Sequence, residues 1–286
     1  MSYRIMTDSS CDFPQQMYDE LNISYVPLSI QYDGKEITHY TEEWLKELYA
    51  GLRAGKSATT AAANPKDWED IMEPALKNGE DVLVLAFSSG LSNTYQAAVI
   101  AGQELQERYP ERKIRVVDTR SASLGQGLLV YYACKKRDEG MDLDALTAWC
   151  EENRFHLCHW FTEDDLMYLK RGGRIGGATA VVGTMLQIKP VLHMDDPGHL
   201  INVSKSRGRK ASIDALAKKL GELGLPGMND TVFICHGDCV EDAEYLEKIV
   251  KEQYGVKNVF KYYTGAVIGS QSGPGTLALF FLGKNR

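Results

Sequence analysis

Residues 81–87 read DVLVLAF, an apolar run behind a single acid, and residues 88–110 continue as SSGLSNTYQAAVIAGQELQERYP. Such a run fits a strand buried on both faces, and the continuation fits a loop leading into a long helix. The same order repeats at once. IRVVDT (114–119) reads as a second buried strand, and LGQGLLVYYACKKRDEG (124–140) as a helix closed by Gly140. Strand and helix alternating in this way predict right-handed crossovers and a mainly parallel sheet.

Upstream, YRIMTD (3–8) reads as a strand, followed by a helix that Asp12 caps with Pro14 in its first turn. Thr41 precedes the acidic first turn of EEWLKELYAGLRAG, and Asn64 with Pro65 opens a third helix that Gly79 ends. Downstream of the helix DLDALTAWCEENR the pattern changes. HLCHWF is a strand, and IKPVLHM and HLINVSK are joined by DDPG, a turn signal that predicts an antiparallel hairpin. A helix at SIDALAKKLGEL, a strand at TVFICHG and a helix at EDAEYLEKIVKEQYG follow. At 286 residues the chain exceeds the usual size of one core. We therefore expect two α/β domains, 1–155 with a mainly parallel sheet and 156–286 with a mixed sheet.

With 44% hydrophobic and 25% charged residues the composition is that of a soluble globular protein. A net charge of −7 leaves no basic excess to displace phosphate counterions, so nucleic acid is not expected as a partner. No stretch approaches the ~20 apolar residues that span a bilayer, which predicts a cytoplasmic protein, not an integral membrane one. The six cysteines lack disulfide-scaffold spacing and are expected to be reduced thiols. His156, Cys158 and His159 form one local cluster, and Cys235, His236 and Cys239 another. Neither has the paired CxxC spacing of a zinc site, and no metal is expected.

In open α/β sheets ligands sit beyond the carboxyl ends of the strands. The loops there are rich in hydroxyls: TDSS (7–10), SSGLSNT (88–94) and DTRSAS (118–123). Ser88, Ser89, Ser92 and Thr94, beside a helix start, could donate to an anion or simply cap the helix. Thr59 and Thr60 lie in SATTAAANP (57–65), where small residues either let a ligand approach the backbone or form a flexible linker. RGGRIGG (171–177) and IGSQSGPGT (268–276) lack nucleotide-binding spacing. Between Leu166 and Lys210 eight basic residues face two acids, a balance suited to a solvated surface, an anionic ligand or an acidic partner. A hydrolase or transferase using Ser88, Ser89 or Ser92 as nucleophile is the rival reading. It lacks a GxSxG elbow and a histidine in the TDSS or DTRSAS loops.

Four stretches together resemble the DegV family of fatty-acid-binding proteins, over essentially the whole chain and in the family's order. TDSSCDFP is similar to its TDSxxDLP, SSGLSNTYQAA to SSxLSGTYQSA, DDLMYLKRGGRIG to DLxYLKKGGRIS, and IGSQSGPGTLAL to IGxHxGPGxLGL.

The resemblance implies a two-domain DegV-like α/β fold enclosing one long-chain fatty acid, such as palmitate, between the domains. The carboxylate would be held by Thr60 and Ser92, the positions that match the family's binding hydroxyls. It also implies a non-enzymatic carrier with no cofactor beyond the lipid. A separate fatty acid kinase would convert the bound acid to an acyl phosphate for phospholipid synthesis. Arg174, in the basic segment, has a guanidinium that can pair two oxygens, and is expected either to contact that partner or to brace the GGRIGG turn. Three positions depart from the family pattern: Ala61 replaces a second hydroxyl, Asn93 the glycine after Ser92, and Gln271 a histidine.

Overall fold

The strand Asp81–Ala86 (β6) lies inside a four-stranded parallel sheet and is buried along its whole length. The computed structural model describes residues 2–176 and 187–286. Before β6 come β1 (Tyr3–Asp8), α1 (Gln15–Glu20), β2 (Ser24–Val26), β3 (Ser29–Tyr32), β4 (Lys35–Ile37), α2 (Glu42–Arg53), β5 (Ala58–Ala61) and α3 (Pro65–Lys77). After it come α4 (Thr94–Arg108), β7 (Ile114–Asp118), α5 (Ser123–Asp138) and α6 (Leu143–Asn153). The parallel sheet has the order β2-β1-β6-β7. Leu83 and Leu85 join a core with Leu124, Leu128 and Leu146 of α5 and α6, whereas Val82 and Val84 join one with Trp68, Ala98 and Leu105 of α3 and α4. Helices thus cover both faces, which is why β6 tolerates no polar alternation.

The helix starts follow their caps. Thr41 Oγ1 accepts from Trp44 N at 3.3 Å. Asn64 and Asp67 form a reciprocal box, Asn64 Oδ1 accepting from Asp67 N at 3.1 Å and Asp67 Oδ2 from Asn64 N at 2.8 Å. Asp12 differs from expectation. It is not a helix cap but ends a 3-10 turn in the left-handed conformation, φ 57°, and its carboxylate accepts from Ser123 Oγ on α5. Pro14 then stands immediately before α1. SATTAAANP is no linker either, since β5 pairs antiparallel with β3 in a small sheet of order β4-β3-β5.

The C-terminal domain comprises β8 (Leu157–Thr162), α7 (Met167–Arg171), β9 (Ile188–Met194), β10 (Leu200–Arg207), α8 (Arg209–Leu223), β11 (Thr231–His236), α9 (Val240–Tyr254), β12 (Asn258–Tyr263), α10 (Ala266–Ser272) and β13 (Leu277–Leu282). Six strands form a mixed sheet, β10-β9-β8-β13-β11-β12. The DDPG turn makes the expected hairpin, with β9 and β10 antiparallel. Cys158 and Trp160 point with Leu216 and Leu246 into a core beneath α8 and α9. Leu157 and Phe161 point the other way, into a core shared with α5 of the N-terminal domain. A side chain at Gly125 would collide with His159, so glycine lets α5 lie directly on this sheet. The last glycine of RGGRIGG, Gly177, lies outside the described residues.

Candidate functional site

Between the inner face of the mixed sheet and the N-terminal loops lies a cavity of about 410 Å³, within the usual range for small-molecule sites. Sheet residues His159, Phe161, Ala278 and Phe280 form its floor, and Phe87, Leu91, Met194, Leu200, Val267 and Ile268 contribute further apolar wall. Thr60, Ser92 and Arg174, from β5, the loop before α4 and the turn after α7, all reach this one cavity. Ala61 and Ala62 also line it, where larger side chains would fill the space.

Thr60 and Ser92 are half-buried. Thr60 Oγ1 accepts from Gln271 Nε2 at 3.3 Å. Ser92 Oγ accepts from Thr94 N at 3.2 Å and lies 2.9 Å from Thr94 Oγ1, which itself accepts from Ala63 N at 3.3 Å. Thr60 takes part only as an acceptor, and when Thr94 donates to Ser92 the same holds there, so each O–H can be directed at a ligand oxygen.

Arg174 also lines a second, smaller cavity of about 260 Å³, which shares Thr60 and Gln271 with the first and adds Lys56 and Arg171. Its guanidinium donates to the Gly172 carbonyl, and Arg171 lies over the Tyr168 ring at 4.5 Å. A chamber lined by Lys56, Arg171 and Arg174 therefore adjoins the apolar one at Thr60 and Gln271.

The other hydroxyls of these loops are committed to the fold. Ser88 Oγ donates to the Gly198 carbonyl at 2.8 Å, Ser89 Oγ to Asp118 Oδ2 at 2.5 Å and Thr7 Oγ1 to the Leu85 carbonyl at 2.8 Å. Among the described residues no histidine bonds to Ser88, Ser89 or Ser92, so the histidine base of the rival reading is not in place at these serines. Of the two cysteine–histidine clusters, His159 and Cys158 face opposite sides of β8, and Cys239 Sγ donates to the Thr276 carbonyl. Among the described residues no group of three metal-binding side chains converges, and no helix is long and apolar enough to cross a membrane.

Sequence reasoning missed Glu163. It is fully buried, lines the large cavity, and burial pushes its carboxyl well above the ordinary carboxylate range, which favours the protonated form. The signal lay in the alternation of HLCHWFTE: Leu157, His159, Phe161 and Glu163 share a strand face, and Glu163 reads as surface only when TEDD is taken as a charged run.

Residues 2–284 match the family model described as "Uncharacterised protein, DegV family". The chain belongs to the DegV family. A DegV domain-containing protein of Clostridium perfringens is 44% identical over 99% of this chain and 98% of its own length. Among solved structures, a DegV family protein from Thermus thermophilus described by its fatty acid binding superposes with a TM-score of 0.88, at 31% identity over 99% of this chain and 100% of that one. A Thermotoga maritima protein described as revealing fatty acid binding function gives 0.85, at 28% identity over 99% of each chain. This chain thus has the DegV fold, with its parallel and mixed sheets.

Proposed function

We propose that this DegV protein encloses one long-chain fatty acid, with the acyl chain in the apolar cavity and the carboxylate receiving hydrogen bonds from Thr60 and Ser92. The observation that carries this reading is the pairing of a largely apolar cavity with two half-buried hydroxyls on its wall, each able to donate to a ligand oxygen. Burying ~15 methylenes at ~0.8 kcal/mol each contributes about 12 kcal/mol before ordering costs. Each hydrogen bond to the charged head group adds about 1.5–3 kcal/mol, enough to fix its orientation. The segments 1–155 and 156–286 act as the two halves of the enclosure. No side chain of the site is assigned a catalytic role, and no cofactor is required.

The protein acts as a cytoplasmic carrier. It presents the carboxylate to a partner acyl kinase that docks over the cationic side chamber, where Arg174 shields the charge developing in phosphoryl transfer. The resulting acyl phosphate enters phospholipid synthesis. Mass spectrometry of organic extracts from the purified protein tests the carrier reading. About one fatty acid per chain is expected, and folded lipid-free protein that also rejects added palmitate and oleate would refute it.

A further inference from the structure

The cavity wall holds polar atoms that a plain acyl chain leaves unmatched. Both carboxyl oxygens of Glu163 lack a hydrogen-bond partner among the described residues, as do Ser272 Oγ and Thr264 Oγ1. All three side chains are buried and line the cavity, reaching it from the end of β8, the last residue of α10 and the residue after β12. They are separate from Thr60 and Ser92, which are only half-buried.

Buried polar groups in folded proteins are almost always hydrogen-bonded, and methylenes cannot serve that need. The chemistry of Glu163 narrows what can. A second carboxylate on the ligand would bring its own charge into an apolar wall that offers no countercharge, and an amine would require the acid to ionise there. A keto oxygen accepts but cannot donate. A hydroxyl does both: it accepts from a protonated carboxyl, the form burial favours, and donates to the remaining carboxyl oxygen or to Ser272 Oγ.

We infer that the preferred ligand is a hydroxy fatty acid, whose chain hydroxyl is received by Glu163 and Ser272 in a second polar subsite within the same cavity. This rests on the carrier reading and adds the class of acid carried. A site built to bond a hydroxyl discriminates strongly against the analogue without it, because its own polar groups are then stranded.

The test is titration of delipidated protein with palmitate and with a positional series of hydroxypalmitates, from the 2-hydroxy to the 16-hydroxy acid. At least one isomer should bind about tenfold or more tightly than palmitate. Glu163→Val, which keeps a strand-forming side chain, should bring that ratio to about one and tighten palmitate itself. Ser272→Ala should lower the preference several-fold, and it carries the test if Glu163→Val fails to fold. Palmitate binding more tightly than every isomer would overturn the inference and leave the carrier reading standing. Equal weakening of all acids by Glu163→Val would also overturn it, by putting Glu163 at the head group. Rejection of every acid, hydroxylated or not, would sink both readings.

Discussion

Gln271 Nε2 donates to Thr60 Oγ1 across 3.3 Å, joining α10 of the C-terminal domain to β5 of the N-terminal one. A hydroxyl that accepts from an amide on one side directs its proton to the other. Gln271 thereby sets the direction in which Thr60 can donate, although it stands where the family pattern carries histidine. An amide does not change its charge between pH 5 and 8, so this orientation is independent of pH.

Thr60→Val removes the hydroxyl and keeps the branched shape suited to β5. Fatty acid affinity is expected to fall by about 1.5–3 kcal/mol, with a similar loss for Ser92→Ala. Fluorescent fatty acid displacement measures both. Unchanged affinity in the folded double variant would put the head group elsewhere.

Ala278 lies on the cavity floor, with its side chain between those of Phe161 and Cys235 on the neighbouring strands. Ala278→Leu extends into the lumen rather than into packed core, so the melting temperature should change little. The lipids extracted with the protein should shift to shorter chains by mass spectrometry, and an unaltered chain-length profile would count against this course of the acyl chain.

Arg174→Ala separates partner docking from lipid binding. The guanidinium bonds its own turn at Gly172 and borders both cavities. Kinase-dependent acyl phosphate formation should slow at least about tenfold, the effect of losing roughly one charge-assisted hydrogen bond. Palmitate affinity and melting temperature should stay near wild type. Parallel loss of stability and binding would make Arg174 a brace for the turn alone.

Asp12 gives a pH dependence whose sign is fixed by burial. Desolvation pushes its carboxyl up to about 7, against the hydrogen bonds from Ser123 and the Gly265 amide, which lower it. The folded state therefore binds a proton that the unfolded chain releases near its ordinary value of 3.8. This contribution to stability is complete below that value and is lost as pH rises through about 7, on the order of 4 kcal/mol in all. Asp12→Asn keeps an acceptor and suits the left-handed backbone. Denaturant titrations should find it more stable than wild type at pH 8, with the difference vanishing near pH 4.

Much of the fold was legible where one local signal sufficed. The apolar run of β6 and the caps at Thr41 and Asn64 each identify an element without reference to the rest of the chain. β5 was not legible, because four small residues carry no alternation and become a strand only by pairing with β3. Asp12 failed for a related reason: its side-chain partner Ser123 is distant in sequence. In the site, Thr60, Ser92 and Arg174 come from three distant parts of the sequence and line one cavity. Glu163 was hidden because its acidic neighbours Asp164 and Asp165 are exposed while it alone turns inward.

The cavity lies against the core shared by α5 and the mixed sheet, so a molecule that fills it completes packing that holds the two domains together. Such a ligand binds the folded chain and not the unfolded one. At a free concentration a hundred times its dissociation constant it adds about 2.7 kcal/mol to stability. Resistance to proteolysis would then rise and fall with the lipid supply, making the steady-state amount of this protein a readout of how much ligand the cell holds.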